Sequence, residues 1–326
     1  MSTIKKLTLK LISGLLSELQ SDTVMGHFCW RLKDRLGESK LTEFIKLYSN
    51  DKPVFTISNG LLTRNEELFF PKPLIHFKSD GNQSSTKKEN MISFLKNKEM
   101  KSIEYLTLSQ LNLFLNGKIN ELYNELSESK IDYPRFETDL RVSVEIDRNS
   151  YSSKEGQLFS YHPKFLDEKT RVVIFIKVLD QTNFDNFECK EVLKDVFEIG
   201  FGRKKSSGYG KFEVDGELEE FTQFEEPAES NGFLSLGNYL PSVEDNISVN
   251  SKYNFLVKYG RLGEEKSLSD NPFKKPLILF TAGGVFFTTV NQDFYGRITQ
   301  TNHISEFDIN VVQFGISVTL KCNYNA

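Results

Sequence analysis

The segment Gly200-Phe201-Gly202-Arg203-Lys204-Lys205-Ser206-Ser207-Gly208-Tyr209-Gly210 constrains this chain most, because four glycines in eleven residues allow no regular element there. Upstream, Asn186 to Ile199 carries Cys189, Val192, Leu193, Val196 and Phe197 as one stripe at helical spacing. Downstream, Lys211 to Val214 reads as a strand. The order helix-loop-strand, without Gly-Lys-Ser/Thr at the required spacing, excludes a Walker A loop. Glycines let a main chain adopt positive φ and come close to a phosphate. Arg203, Lys204 and Lys205 add charge, and Ser206 and Ser207 add hydroxyl donors. Such a cradle neutralises phosphates without reading bases. A solvated turn with exposed lysines is the alternative that spacing leaves open.

The 326 residues suffice for two domains with their own cores, and 38% hydrophobic with 26% charged content belongs to a globular chain. A net charge of −4 argues against wholesale wrapping by nucleic acid, so any RNA contact is expected to be local and the acidic surplus to face other proteins. Aromatic content is 13%, with 28 phenylalanines, enough to fill a core and leave rings for stacking. Cys29, Cys189 and Cys322 are odd in number and lack metal-ligand spacing, so neither a disulfide nor zinc is expected, and a reducing cytoplasm fits. Met1 to Lys10 has no apolar signal core, and no run is long enough to span a bilayer, so the chain is expected to be neither secreted nor anchored.

Ile4 to Ile12 alternates as a strand, Ser21-Asp22-Thr23 offers N-cap chemistry, and Val24, Phe28, Leu32 and Leu36 recur helically up to Gly37. A helix over Leu41 to Tyr48 and a strand over Pro53 to Ser58 complete a β-α-β opening of ferredoxin-like type. Lys78 to Glu89 is a polar loop, and Met91 to Leu126 reads as mainly helical. Strands are expected at Thr138 to Asp147 and Arg171 to Leu179, flanking a polar hairpin or loop at Arg148 to Pro163. Glu217 to Glu229 suits a linker. Strands then recur at Tyr253 to Val257, Leu277 to Phe280, Val285 to Val290 and Val311 to Lys321. The predicted fold is α+β, with two ferredoxin-like (RRM-like) domains. The first covers 1–220, with a helical insertion at about 74–131, and the second, β-rich and degenerate, covers 230–326.

Further binding candidates are scattered. Ser21, Asp22 and Thr23 open a helix whose N-terminus suits either capping or a phosphate. His27 lies one turn inside it. Arg148 ends a strand, and Lys258-Tyr259-Gly260-Arg261 joins two cations to a ring suited to stacking on bases. Gly283-Gly284 marks a tight turn or a close approach by another chain. The four histidines, His27, His76, His162 and His303, show no triad or metal-site spacing, and the carboxylates form no ligand pattern. A catalytic role, a metal and a cofactor are therefore not expected.

Taken with Gln20 to Trp30, with Asp147-Arg148-Asn149 leading to Gly156-Gln157-Leu158-Phe159, and with Gly283-Gly284-Val285-Phe286, the glycine-rich loop resembles the RAMP superfamily of CRISPR proteins. Within it the chain is most similar to the fourth subunit of the Csm (type III-A) effector complex. That resemblance implies two ferredoxin-like domains, no nuclease activity, and a grip on the 5′ repeat-derived tag of the crRNA. It also implies docking to the large polymerase-type Csm subunit and to the first backbone subunit. Target RNA is met indirectly, through a hairpin that disrupts one base pair of the guide-target duplex, sought here in Arg148 to Pro163 or in 74–131. RNA-binding candidates are thus Gly200, Gly202, Arg203, Lys204, Lys205, Ser206, Ser207, Gly208, Tyr209, Gly210, Ser21, Asp22, Thr23, His27, Arg148, Lys258, Tyr259, Arg261, Gly283 and Gly284. The alternative is a metal-independent crRNA-processing endoribonuclease with His27 as general acid or base.

Overall fold

A computed structural model describes residues 2–74, 100, 102–129, 131–268, 270–300, 304–305 and 311–324. Strand β1 (Thr3–Leu11) buries Leu7 and Leu9 and leaves Lys10 outside, as alternation requires. Helices α1 (Ser21–Leu36) and α2 (Glu38–Ser49) follow, and lay Val24, Phe28, Leu32, Phe44 and Tyr48 on the core. Next come β2 (Phe55–Ile57), β3 (Leu61–Arg64), β4 (Glu67–Pro71) and β5 (Tyr105–Thr107). A reciprocal capping box between Thr107 and Gln110 starts α3 (Leu108–Leu115), which α4 (Ile119–Glu128) follows. Then come β6 (Glu137–Thr138), β7 (Arg141–Ile146), β8 (Ser153–Tyr161), β9 (Lys164–Phe165) and β10 (Thr170–Val178). Helices α5 (Gln181–Asn186) and α6 (Cys189–Ile199) lead to β11 (Phe212–Val214) and β12 (Glu219–Glu220).

The main sheet runs β11-β1-β10-β3-β4-β5, with β12 also on β1 and β2 also on β10, and its pairings are antiparallel. β10 sits between covered faces, which is why its sequence is apolar on both. Val172, Ile174 and Ile176 meet α1, α2 and α6, while Val173 and Phe175 meet α3, α4 and the C-terminal strands.

The C-terminal part comprises β13 (Gly232–Ser235), β14 (Phe255–Lys258), β15 (Leu277–Phe280), β16 (Val285–Phe287), β17 (Ile298–Gln300), β18 (Val312–Phe314) and β19 (Thr319–Cys322). They form a β16-β13-β19 sheet and the pairs β14-β15 and β17-β18. Leu234, Leu236, Val318 and Leu320 share a core with Val173 and Phe175, so the two parts are packed together. Among the described residues no helix is long and apolar enough to cross a membrane.

Several expectations change. Residues 105–107 of the expected helical insertion are a strand at the edge of the main sheet, and the polar loop at Lys78 to Glu89 lies outside the described residues, as do His76 and His303. The helix expected over Asn186 to Ile199 is two helices, broken where Glu188 takes φ +47°. Glu217 to Glu229 is no free linker: β12 pairs with β1, Phe221 is buried, and Phe224 packs on Phe70 and Phe175. The strand expected over Val311 to Lys321 splits at Gly315, where the amide and carbonyl turn to Arg297 and Leu240.

Ser21-Asp22-Thr23 is not an N-cap either. The helix begins at Ser21, Gln20 occupies the cap position, and no side chain caps it. These side chains instead face the C-terminal part. Asp22 accepts from Asn238 Nδ2 at 2.7 Å and from Gln313 Nε2 at 2.7 Å, and it pairs with the Lys258 ammonium. Lys258 also donates to Gln20 Oε1 at 2.9 Å and Thr23 Oγ1 at 2.6 Å, and Ser21 Oγ accepts the Asn238 amide at 2.9 Å. Breaking a buried pair from one side leaves a charge without a partner. Asp22→Ala should therefore lower the unfolding free energy by about 3 kcal/mol in a urea titration. Lys6→Ala, which removes a surface pair with Glu219, should cost less than about 1 kcal/mol.

Candidate nucleic-acid interface

The loop after α6 is built from the inside out. Phe201 is fully buried, with its ring 4.8 Å from the His27 ring and 6.2 Å from Phe197. Its amide donates to Gly210 O at 2.8 Å, and the Gly210 amide donates to Gly14 O at 2.9 Å, which closes the loop against the end of β1. A Cβ on Gly210 would overlap the Phe201 carbonyl, and one on Gly202 would sit 2.5 Å from Ser17 Oγ. These two glycines are thus required by the loop's own closure, a cause that the sequence pattern did not reveal.

Further bonds hold the rim. The Gly202 amide donates to His27 Nε2 at 3.2 Å, Arg203 N to Ser17 Oγ at 2.9 Å, and Lys211 N to Ser13 Oγ at 2.9 Å. Lys205 to Ser207 form a single 3-10 turn. Tyr209 OH donates to Tyr161 OH at 3.2 Å, and the Lys204 ammonium sits 3.7 Å from the Tyr161 ring centroid. Lys205 pairs with Glu264, in the short helix Glu264–Leu268. Arg203, Lys204, Ser206 and Ser207 are exposed, so two cations, two hydroxyls and the Tyr161–Tyr209 pair make one surface. Cations beside aromatic rings suit a single strand, whose phosphates and bases they meet in turn.

His27 serves this loop as an acceptor. Burial, with the Lys205 and Arg31 cations against the opposing pull of Glu264, lowers its pKa from 6.5 to about 4. At neutral pH it is an uncharged imidazole whose Nε2 lone pair is already used by Gly202.

β7 and β8 form a hairpin paired from Arg141↔Tyr161 to Ile146↔Ser153, with a shift of register between Val144 and Ile146. Val142, Ile146, Leu158 and Phe159 on it are exposed, so it stands off the body. The hairpin sought in Arg148 to Pro163 thus begins earlier, at Arg141. Tyr161 at its base touches the loop, whereas Arg148 lies in the turn at its tip, roughly 18 Å away at the rise of an extended strand. Arg148 is not part of the loop surface.

Other candidates are engaged within the chain. Ser21, Asp22, Thr23 and Lys258 belong to the buried network. Tyr259 is exposed, while the Arg261 guanidinium lies 5.8 Å from the Phe273 ring centroid. Gly283 and Gly284 turn between β15 and β16, and the close approach there comes from the same chain: the Leu74 amide donates to Gly283 O at 3.1 Å. Ser13, Ser17, Tyr161 and Glu264 were missed. Each acts through a partner dozens of positions away or more, so no local pattern announced it.

No protein-family model matches the chain, and no curated protein matches it by sequence. Its fold is shared with solved structures. A chain in the crystal structure of the Csm1-Csm4 cassette in complex with AMPPNP is 14% identical, with a TM-score of 0.62 and 100% of both chains covered. The same cassette in complex with cA4 gives 14% and 0.61, again covering 100% of both chains. The Csm3-Csm4 subcomplex in the type III-A CRISPR-Cas interference complex gives 16% and 0.60, covering 98% of this chain and 99% of that one. At such identities the likeness is one of fold.

Two outcomes follow from the loop's construction. Gly210→Ala should cost about 2–4 kcal/mol, with lost hydrogen-exchange protection at the Phe201 and Gly202 amides. For His27, a folded pKa of about 4 below an ordinary 6.5 means the unfolded chain binds more protons between those values. Stability should be full above about pH 6.5 and fall on acidification toward pH 4, by up to about 3 kcal/mol from this group. Urea titrations of the natural chain and of His27→Gln at pH 7 and 4.5 isolate it, because the carboxylates contribute equally to both.

Proposed function

From the Csm4-like RAMP fold of this chain, we propose that it is a non-catalytic subunit of a type III-A CRISPR (Csm) effector complex, holding the 5′ repeat-derived tag of the crRNA. The observation that carries this is the loop surface: Arg203 and Lys204 exposed on a backbone pinned at both ends, beside Tyr161 and Tyr209. The strand order β11-β1-β10-β3, with α1 and α6 in the connections, is that of a ferredoxin-like unit, which supports a first domain over 1–220. Residues 230–326 then form the β-rich second domain. The solved structures of like fold are assembled with Csm1 or with Csm3, which supports docking to the large polymerase-type subunit and to a backbone subunit. The β7–β8 hairpin, which projects from the loop surface, is the element through which target RNA is met. A neutral His27 whose lone pair is taken supports a holding role over a cleaving one. Three free cysteines fit a reducing cytoplasm.

The complex purified with Arg203, Lys204 and Lys205 all changed to Ala should lose bound crRNA. RNA affinity of the chain should drop at least about tenfold at about 0.15 M salt, with a salt dependence shallower by about two units for three lost phosphates. Unchanged crRNA occupancy would sink the proposal. Incubated with repeat RNA and no metal, the natural chain should leave the RNA intact, whereas cleavage that disappears in His27→Ala would make it the nuclease instead.

A further inference from the structure

Lys205 is the last of the loop's three cations, yet its ammonium is already bound. Glu264 Oε1 takes Lys205 Nζ, and the same oxygen takes Arg31 Nη2 at 2.9 Å. Glu264 comes from the C-terminal part, Arg31 from α1 and Lys205 from the loop, so one carboxylate joins three elements. Glu264 reaches this place with φ +48°, a left-handed backbone that a side chain rarely adopts. The loop does not need the contact for its shape. Phe201–Gly210, His27–Gly202, Ser17–Arg203 and Tyr209–Tyr161 already hold it at both ends.

A carboxylate on a left-handed backbone that neutralises one of three cations, in a loop read as a phosphate grip, calls for a reason. Burial would raise the Glu264 carboxyl, and Lys205 and Arg31 together more than offset that and hold it below its ordinary range, so it is an anion. An anion there repels an incoming phosphate and withholds Lys205 from it. The arrangement is also reversible in place. If Lys205 turns to a phosphate, Glu264 keeps Arg31, and no buried charge is left alone. Arg31 in turn also pairs with Asp34 at 3.0 Å.

We propose that Glu264 is a specificity-determining residue of the RNA grip: it is the resident counter-ion of Lys205, displaced only by an RNA whose phosphate the neighbouring contacts seat against the loop. This rests on the RNA-binding role proposed above. An arbitrary single strand then meets Arg203 and Lys204, while a correctly seated end gains Lys205 as well. The carboxylate lowers affinity for every RNA, and lowers it most for those that are poorly seated.

The test uses the full chain and two single-stranded RNAs of equal length, one beginning with the repeat-derived tag of the host's own CRISPR array and one scrambled. Both are titrated at several salt concentrations. Glu264→Gln should raise affinity for the scrambled RNA about three- to tenfold and steepen its salt dependence by about 0.7, one phosphate's share on a single strand. The tag RNA should gain less, so the ratio of the two affinities falls. Adding Lys205→Ala should erase the gain. Glu264→Ala should give the same signs, and stands in if the Gln variant fails to fold. Unchanged affinities, a loss for both RNAs, or an equal gain for both would overturn this role for Glu264 while leaving the RNA-binding role intact. Binding of neither RNA by the natural chain would overturn both.

Discussion

A carboxylate buried at the first turn of α1 decides much of what this molecule can do. Asp22 is 6% exposed, and a charge so withdrawn from water is tolerated only if its oxygens are filled. They are filled from the C-terminal part, by Asn238, Lys258 and Gln313. The two parts of the chain are therefore locked by a polar network as well as by the shared core under β10. The lock also has a functional consequence. Ser21 and Lys258 would be attractive nucleic-acid ligands on a free surface, and the network with Asp22 uses both. Past Lys258 the chain continues into Arg261 and Glu264, so the same lock sets Glu264 over α1 and within reach of the loop.

What remains for a ligand is the outer rim of the loop. Its inner side is spent on closure, since Phe201 fills the core and Gly202 and Gly210 admit Ser17 and the Phe201 carbonyl. The main chain that carries the cations is thus fixed by internal contacts before any ligand arrives. The net charge of −4 sharpens the point. Around α1 the cations are answered: Arg31 by Asp34 and Glu264, Lys33 by Glu38 and Glu265, Arg35 by Glu188 and Asp195. Among the described residues no carboxylate pairs with Arg203 or Lys204, so both stay open to an anion at the rim.

The legible parts of the fold were those with a local period. Alternation found β1, a strand pattern over Arg171 to Leu179 found β10, and the 3.6-residue stripe of α1 ran to its stop at Gly37. The loop itself was visible because glycines and lysines between a helix and a strand form a local pattern. Errors arose wherever a distant partner overrode the local signal. Asn186 to Ile199 keeps an apolar stripe through a break that only the positive φ of Glu188 reveals. Glu217 to Glu229 reads as polar, yet Phe221 and Phe224 fasten it to Phe175. Asp22 and Gln313 lie 291 positions apart, and no spacing rule connects them.

The glycine signal shows how one local pattern can have two physical causes. In sequence, glycine beside lysine suggests a main chain thinned to admit a phosphate, and the same pattern arises if the chain is thinned to admit itself. The contacts separate the two, because the space a Cβ would need at Gly210 is filled by Phe201 O and at Gly202 by Ser17. The glycines therefore set the loop's curvature, and curvature sets which side chains point outward. Arg203 and Lys204 are exposed because Phe201 is not: a core anchor at one end of the segment turns the next residues toward solvent. Any RNA affinity of this surface thus depends on a buried ring and two absent β-carbons as much as on the cations, and substitutions that never touch a ligand will move it.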